Sequence, residues 1–402
     1  MAEAGTGTTP PSAGPTSRRV GGVAALFLKL GLIGFGGPAA HIAMMEDEVV
    51  RRRRWLGREH FLDLLGATNL IPGPNSTEMA IHVGFVRAGW QGLVVGGVCF
   101  IAPAALIVLA LAALYVRYGR LPEAAWLLYG VKPVIIAVVV QALWGLALKV
   151  AHSPLTAAAA AAVAGLALWG INEVALLFAA ALLVPLAPRA GGPRDGAARI
   201  APMALGTAVW AAGLAPTPVA ALVTGAAGPA GLVKLTLIFL KVGSILFGSG
   251  YVLLAFLRPD LVERTAWLTD RELLDAIAVG QLTPGPVLTT ATFIGYLLAG
   301  VPGALLATLG IFLPSFLFVL ASNPLIPRLR RSAWAAGFLD GANAASVALM
   351  AVVTWQLGRA ALVDRVTIGL AVAAAILLFR FRVNSAWLVL GGAVAGALAA
   401  AR

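Results

Sequence analysis

The chain has 402 residues, 60% of them hydrophobic and only 11% charged, and its mean hydropathy is +0.92. Soluble globular proteins carry roughly 45–50% apolar and about 25% charged residues, so this composition excludes a soluble multidomain enzyme, and the high hydrophobicity excludes a disordered chain. The net charge of +12 comes from 29 basic and 17 acidic residues scattered between apolar stretches, a pattern that favours a membrane protein with no nucleic-acid partner.

The first 20 residues, MAEAGTGTTPPSAGPTSRRV, are rich in Gly, Thr, Pro and Ser and end with the basic pair Arg18 and Arg19. A signal peptide places its basic residues before its apolar core, whereas here they follow a polar stretch. We therefore predict that residues 1–20 form a disordered tail outside the membrane.

Long apolar segments follow the tail. Five of them contain no Asp, Glu, Lys or Arg: 88–116, 133–148, 200–233, 276–327 and 383–401. A membrane-spanning helix needs about 20 predominantly apolar residues, so the fourth segment holds at least two crossings. At roughly 30 residues per span and loop, the sequence predicts an all-α polytopic membrane protein with about 10–12 transmembrane helices.

The second half of the chain repeats the first. Residues 27–38, FLKLGLIGFGGP, match residues 239–250, FLKVGSILFGSG, at an offset of 212 that later becomes 211. Identical residues recur along both stretches: Trp55 with Trp267, Asp63 with Asp275, Pro72 with Pro284, Gly89 with Gly300, Pro103 with Pro314, Gly130 with Gly341 and Trp144 with Trp355. We predict two homologous repeats, residues 21–190 and 232–402, joined by a linker, residues 191–231, that contains an apolar segment.

The charges of two matched loops suggest how the repeats are oriented. Duplicated chains with interrupted apolar segments are typical of secondary transporters, whose repeats are often inverted in the membrane. The loop at 46–59 contains five Arg, whereas its counterpart at 258–272 contains three. Because Lys and Arg are enriched in cytoplasmic loops, this difference favours opposite sides for the two loops, and we predict inverted repeats.

Each repeat contains a Pro-Gly-Pro break, at 72–74 and 284–286, within an apolar region. Proline stops or bends a helix, and a helix that restarts after the break directs free N–H groups and its positive end into the gap, which favours an anion. A plain kink filled by neighbouring side chains is the alternative. The glycines of FGGP at 35–38 and FGSG at 247–250 allow a second break or close helix packing.

Lys29 and Lys241 occupy matched positions within apolar segments. An ionisable residue inside a span is costly and indicates function, although a lysine near a helix end also reaches the membrane interface. Two cations near a pseudo-two-fold axis would suit a dianion. The predicted substrate-binding residues are therefore Lys29, Gly36, Gly37, Pro72, Gly73, Pro74, Asn75, Ser76, Thr77, Lys241, Gly248, Pro284, Gly285, Pro286, Thr289 and Thr290.

Glu78 follows the first break, and its counterpart in the second repeat is a threonine. A lone buried carboxyl group can carry a proton, so we predict a coupling role, with stabilisation of the helix N-terminus as the alternative. Asn69 and Gln281 precede the breaks and can donate hydrogen bonds to a substrate or cap local backbone. His41 and His82 are interpreted as packing residues more than as ligands.

The remaining motifs do not indicate enzyme chemistry. The single cysteine, Cys99, excludes an intrachain disulfide and a cysteine metal cluster, and the four histidines lack HExxH spacing. The sequence has no GxxxxGK[ST] loop, which argues against ATP hydrolysis. We expect a protein that is not an enzyme and that needs neither a cofactor nor a metal.

Several long motifs resemble those of the chromate ion transporter family, two-domain bacterial type. They are FGGPAAH, RRRRW and LIPGPNSTEMAIHVGF in the first repeat, and LFGSG and QLTPGPVLTTATFIGY in the second. The resemblance extends over residues 21–361, and Ser249 and Gly250 replace Gly37 and Pro38, so the halves are not interchangeable. It implies a multi-pass bacterial inner-membrane protein that exports chromate and confers chromate resistance.

The residues and the resemblance together predict a secondary transporter, an antiporter that moves a tetrahedral oxyanion by alternating access. Sulfate or another oxyanion is the alternative substrate, a passive anion channel is the alternative mechanism, and a membrane-embedded reductase is a further alternative. The expected partners are chromate or a related oxyanion, membrane lipid, protons as the coupling ion and a second copy of the chain in a homodimer.

Overall fold

The computed structural model describes residues 15–35, 37–118, 122–151, 153–187, 228–247, 250–322 and 332–400. These residues form helices joined by short connections, and no β-strand occurs within these ranges. The predicted all-α fold is confirmed. Residues 1–14, Gly36, Gly248 and most of the predicted linker lie outside the described residues.

The predicted tail is wrong for its last residues, because helix α1 begins at Thr16. Pro15, with φ of −56°, precedes the helix and is compatible with its start, so the helix includes Arg18 and Arg19 in its first turn. The basic pair is therefore part of the first helix and does not mark the end of a polar tail.

The first repeat contains seven helices and one π-helical turn among the described residues. They are α1 (Thr16–Ile33), α2 (Gly37–Glu46), the π-helical turn Asp47–Arg52, α3 (Arg58–Thr68), α4 (Asn75–Tyr118), α5 (Pro122–Val150), α6 (Pro154–Leu168) and α7 (Glu173–Leu183). A short 3₁₀ turn, Val184–Leu186, follows α7.

The second repeat has the same order of elements. They are α8 (Pro229–Ile245), α9 (Leu253–Arg258), the π-helical turn Pro259–Arg264, α10 (Asp270–Leu282), α11 (Thr290–Ser322), α12 (Ala333–Ala361), α13 (Arg365–Phe381) and α14 (Ser385–Ala400). The correspondence extends to unusual backbone: Arg54 and Ala266, 212 positions apart, have φ of 51° and 50° and are each the second residue after a π-helical turn. The repeat in the sequence is therefore a repeat in the structure.

Helices α4 and α11 are each a tight hairpin of two antiparallel helices. Within α4 the helical conformation is interrupted at Ala88 and at Gly89, where φ is 63° and ψ is −151°. Residues on either side then approach closely: a Cβ built on Gly96 would lie 2.8 Å from the Ala80 carbonyl oxygen. Gly300 turns α11 in the same way, with φ of 62° and ψ of −151°. This backbone conformation is essentially restricted to glycine, which explains glycine at both turns.

Four described helices are long and apolar enough to cross a membrane by length and composition: Asn75–Tyr118, Leu128–Val150, Val287–Ser322 and Trp334–Ala361. Three shorter apolar helices also occur: Pro154–Leu168, Glu173–Leu186 and Ser385–Ala399. The total of 10–12 spans stays a prediction. The structure divides several apolar segments into pieces shorter than the roughly 20 residues of one regular span, and such pieces cross a membrane only where neighbouring protein satisfies their ends.

The two repeats are interlocked. Helices α6 and α7 of the first repeat pack against α12, and α13 and α14 of the second repeat pack against α5. Closer to the centre, α1 packs on α4, α8 packs on α11, and α4 contacts α11. Helices of each repeat therefore pack into the other repeat, and the largest apolar core contains buried residues from both, such as Ile135 and Phe239.

Large apolar side chains cover the outer faces of the long helices. Leu106 on α4 is 66% exposed, and Leu305, Leu309 and Leu317 on α11 are 58%, 61% and 56% exposed. In water such a row of exposed leucines is unfavourable, whereas in a bilayer it contacts lipid tails. The outer surface agrees with the membrane location that the composition predicts.

Candidate transport site

The two Pro-Gly-Pro breaks are hydrogen-bonded to the opposite repeats in a reciprocal arrangement. The Gly73 N–H donates to the carbonyl oxygen of Leu246 at 2.7 Å, and the Gly285 N–H donates to that of Gly34 at 2.7 Å. Gly34 and Leu246 are themselves counterparts and follow the last residues of α1 and α8. In each break, therefore, a backbone N–H group that has no partner in its own helix donates to a carbonyl oxygen at the end of a helix from the other repeat. Irregular backbone inside a membrane protein needs such partners.

A carboxyl group and a hydroxyl group lie together beneath the first break. Glu78 is fully buried, and neither of its oxygens has a hydrogen-bond partner among the described residues. A Cβ built on Gly73 would overlap Glu78 Oε1 and lie 2.7 Å from Ser315 Oγ, so the two side chains are neighbours under this glycine. Ser315 comes from α11 of the second repeat and was not predicted from the sequence.

The second break lacks these polar groups. A Cβ built on Gly285 would lie 2.8 Å from Cβ of Ala104, and Ala104 is the counterpart of Ser315 at the 211 offset. The hydroxyls of Thr289 and Thr290 each donate to a carbonyl of their own turn, at 2.8 Å from the oxygens of Pro286 and Val287. Their protons are already used, so these threonines are not the free anion donors that the sequence predicts.

The helix that follows the first break begins with polar residues. Asn75 Nδ2 donates to Asn69 Oδ1 at 2.6 Å, and this bond links the two sides of the break. The Pro74 carbonyl accepts the N–H groups of Thr77 and Glu78, at 2.8 and 3.0 Å. Ser76 and Thr77 are buried, and the Thr77 hydroxyl has no partner within the described part of the chain.

The two predicted lysines form matched ion pairs outside the breaks. Lys29 Nζ is 2.6 Å from Glu48 Oε1, and Lys241 Nζ contacts Asp260. Glu48 and Asp260 are counterparts, one in each π-helical turn. Because Lys29 donates a hydrogen bond to it, the pKa of Glu48 is held below its usual value. Each lysine is paired with a carboxylate, so its charge is already balanced, and the binding of a dianion by the two lysines stays a prediction.

The second of these ion pairs also joins the repeats. Arg264 donates to both carboxylate oxygens of Glu173 on α7, at 2.7 and 2.6 Å, and to Asp260 at 2.6 Å. Lys241 Nζ is 4.0 Å from Glu173 Oε1. In the first repeat, by contrast, Arg53 binds Glu48 at 3.1 Å within the same local segment. The ion pairs of the second repeat therefore fasten the halves together.

His41, in the FGGPAAH motif, holds the end of α1. Its Nε2 lies 2.9 Å from the carbonyl oxygen of Gly34, the same carbonyl that accepts the Gly285 N–H. Opposite a carbonyl oxygen this nitrogen must carry a proton and donate it. The structure supports the interpretation of His41 as a packing residue and adds that it positions the contact of the second break.

A cavity of about 270 Å³ opens beside the first break. Its polar lining comes from the break, from the last turn of α5, from the start of α6 and from the first half of α12: Asn69, Asn75, Lys149, Thr156, Asp340, Asn343 and Ser346. Of these, only Asn75 was predicted as a substrate-binding residue. Asn69 was interpreted as a hydrogen-bond donor beside the break, whereas the remaining residues lie within or beside apolar segments that the sequence does not place near it.

Within the described ranges, no group of three or more His, Cys, Asp or Glu side chains is arranged to hold a metal ion. Cys99 is a free, partly buried cysteine on α4. The polar groups at the breaks can bind an ion or a proton, and the arrangement is that of a membrane transporter built from two repeats with broken helices.

The family is shown by comparison with known proteins. Residues 22–185 and 233–397 each match the family described as Chromate transporter, and the chain belongs to this family. It is 32% identical to the chromate transport protein of Cupriavidus metallidurans CH34 over 91% of this chain and 90% of that protein. It is 33% identical to the chromate transport protein of Pseudomonas aeruginosa over 92% of this chain and 90% of that protein.

A third relative is the probable chromate transport protein of Synechococcus elongatus, which is 30% identical over 84% of each chain. No solved structure matches the chain. The resemblance noted in the motifs is thus confirmed over both repeats, and the chain is a multi-pass membrane protein of a transporter family.

Proposed function

We propose that this protein exports chromate across the bacterial inner membrane and thereby confers chromate resistance. The names of the full-length relatives support chromate as the substrate. The observation that carries a transport mechanism is the reciprocal bonding of the two breaks, in which Gly73 is bound to Leu246 and Gly285 to Gly34. Interrupted helices that meet across a repeat interface are where secondary transporters bind their substrates.

The mechanism proposed is alternating access of one repeat against the other. The substrate binds at the first break, which includes the segment 72–74 and the polar residues Asn75, Ser76 and Thr77. The inside-negative membrane potential assists export of a dianion, by about 2.3 kcal/mol per charge per 100 mV, or about 4–5 kcal/mol in total.

Glu78 is proposed to couple export to inward proton movement, which makes the protein an antiporter. Its carboxyl group is fully buried and lies beside Ser315, without a hydrogen-bond partner among the described residues. A charged carboxylate is costly in that environment, so Glu78 carries a proton while it is buried. It releases the proton in a conformation in which the site is open to water. The absence of an acidic counterpart in the second repeat gives the coupling a single site.

The test is flux through proteoliposomes that contain the purified full chain. We expect uptake of labelled chromate to be accelerated by unlabelled chromate inside the vesicles, and to respond to an imposed proton gradient. Counterflow that occurs with sulfate and not with chromate would reassign the substrate. Flux without any counterflow would instead indicate a passive channel.

Direction is tested in cells. A chromate-sensitive strain that expresses the protein is expected to accumulate less chromate than the same strain with an empty vector. Equal or greater accumulation at matched expression would contradict export.

A further inference from the structure

We propose that the cavity beside the first break is the oxyanion-binding site of this transporter, and that its ligand is held mainly by neutral amide and hydroxyl donors. The inference rests on the proposed transport function and adds the location and chemistry of the binding site. The cavity measures about 270 Å³, which is ample for a tetrahedral oxyanion with some of its water.

A buried hydroxyl group in the cavity wall is available to donate a hydrogen bond to a ligand. Ser346 on α12 lines the cavity and is 1% exposed, and its Oγ has no hydrogen-bond partner within the described residues. Leaving a buried hydroxyl without a partner costs free energy, and such groups in native structures are usually satisfied by a bound water, ion or ligand. An oxyanion placed in the cavity would accept this hydrogen bond.

Two amides supply further donors. Asn75 and Asn343 also line the cavity, from the start of α4 and from α12. Asn75 Nδ2 already donates one proton to Asn69 and carries a second. The start of α4, which is the positive end of the helix dipole, lies at the same point and adds to the attraction for an anion.

Among the described residues, the second break does not reproduce the donors of this cavity. The counterparts of Asn75 and Ser346 are Val287 and Ile135, both buried apolar residues. The counterpart of Asn343 is Lys132, whose Nζ lies 3.2 Å from Asp275 Oδ1. At the second break, therefore, apolar side chains and an internal ion pair take the places of the donors.

The charge of the lining fits a substrate that must be released. Lys149 and Asp340 contribute one positive and one negative formal charge, so the polar residues of the lining carry no net charge. A site with a large positive charge would hold a dianion too firmly, and transport requires binding that is both favourable and reversible. Neutral donors that match the oxygens of a tetrahedral anion provide recognition with modest affinity.

The experiment measures binding of chromate and sulfate to the purified full chain by calorimetry, with two nearly isosteric substitutions that change charge in opposite directions. We expect Asn343→Asp to weaken oxyanion affinity by more than about tenfold, because it adds a negative charge beside the dianion. We expect Asp340→Asn to strengthen it by about tenfold, because it removes one. Improved binding is a result that a misfolded variant does not give.

The same binding experiment includes Ser346→Ala, with Ser322→Ala as its matched control. Loss of the Ser346 hydroxyl is expected to weaken binding by about fivefold to tenfold, which is the typical contribution of one hydrogen bond. Ser322→Ala also removes a hydroxyl from a buried serine, but the Ser322 Oγ donates to the carbonyl oxygen of Val319 at 3.3 Å, so binding should be unchanged.

The outcomes separate the two proposals. Wild-type protein that binds and transports no oxyanion would overturn the proposed function and, with it, the binding site. Wild-type protein that does both, together with Asn343→Asp and Ser346→Ala variants that bind like wild type, would overturn the site alone. Weaker binding by Asp340→Asn would likewise contradict the electrostatic argument.

Discussion

Lys29 and Glu48 on one repeat, and Lys241 and Asp260 on the other, connect α1 and α8 to the π-helical turns that follow them. The matched geometry indicates that the lysines fix the positions of these turns. Gly34 and Leu246, whose carbonyls accept the hydrogen bonds of the breaks, directly follow α1 and α8, so each of these helices contacts both an ion pair and a break. At this scale a lysine within an apolar segment has a structural explanation that does not require a substrate.

The contribution of the Lys29–Glu48 ion pair to the stability of the folded protein should depend on pH. The pKa of Glu48 is lowered because Lys29 donates a hydrogen bond to it, so the pair stabilises the folded protein above the ordinary pKa of a glutamate, about 4.3. This contribution is lost as the pH falls through the lowered value. We expect Glu48→Gln to reduce stability at neutral pH by on the order of 1 kcal/mol, since the Lys29 side chain is 47% exposed and its interaction is screened.

The measurement is thermal unfolding in detergent between about pH 7 and about pH 3.5, a range that spans the titration of glutamate. Wild-type stability should fall more steeply on acidification than that of Glu48→Gln. Glu59→Gln, at an exposed position in the first turn of α3, is the control and should follow wild type. Identical pH profiles for wild type and Glu48→Gln would show that the pair contributes nothing to stability.

Glu78 tests the coupling proposal at the level of one side chain. Glu78→Gln keeps the size of the group and removes its ability to exchange a proton. We expect chromate counterflow to persist, within about threefold of wild type, while the acceleration of net flux by a proton gradient disappears. Acceleration equal to that of wild type would exclude Glu78 as the coupling residue.

Among the elements, the hairpins formed by α4 and α11 determine where the breaks can lie. Gly89 and Gly145 provide a clean comparison, because a Cβ built on either glycine would meet no atom within 4 Å. They differ in backbone: Gly89 has a φ of 63°, whereas Gly145 lies in the regular helix α5. We expect Gly89→Ala to destabilise the protein by about 1–3 kcal/mol through backbone strain alone.

Gly145→Ala should be neutral or stabilising by up to about 1 kcal/mol, because alanine is the better helix former. Both variants are compared with wild type by thermal unfolding in the same detergent. A Gly89→Ala variant as stable as Gly145→Ala would contradict the hairpin turn.

The sequence predicted some of these features and not others, for physical reasons. The duplication and the breaks were predictable because proline and glycine act locally and recur at one offset, as in the segments 72–74 and 284–286. The hairpin at Gly89 was not, because its first arm contains Glu78 and Arg87 and only its second arm lies in the charge-free run 88–116. The pairing of Lys29 with Glu48 and the position of Ser346 and Asn75 in one cavity depend on tertiary packing, which no local pattern encodes.

In the whole molecule, the packing between the repeats and the reciprocal hydrogen bonds describe two halves related by pseudo-symmetry. The proposed alternating-access mechanism depends on how each half is oriented in the membrane. If the repeats are inverted, the two π-helical turns lie on opposite sides of the bilayer. Arg51 and Glu263 are counterparts in these turns; Arg51 is exposed, and the Glu263 side chain is 51% exposed. Each can therefore report the side on which its turn lies.

The prediction uses single cysteines in a Cys99→Ser background, labelled in intact cells with a membrane-impermeant thiol reagent. The turn of the first repeat is the more basic, so we expect Arg51→Cys to react only after the membrane is permeabilised, because Lys and Arg favour the cytoplasmic side. Glu263→Cys should react in intact cells. The Cys99→Ser protein without an added cysteine is the control for background labelling. Reaction of both cysteines from the same side would mean that the repeats are parallel, and an inverted-repeat mechanism of alternating access would then be wrong.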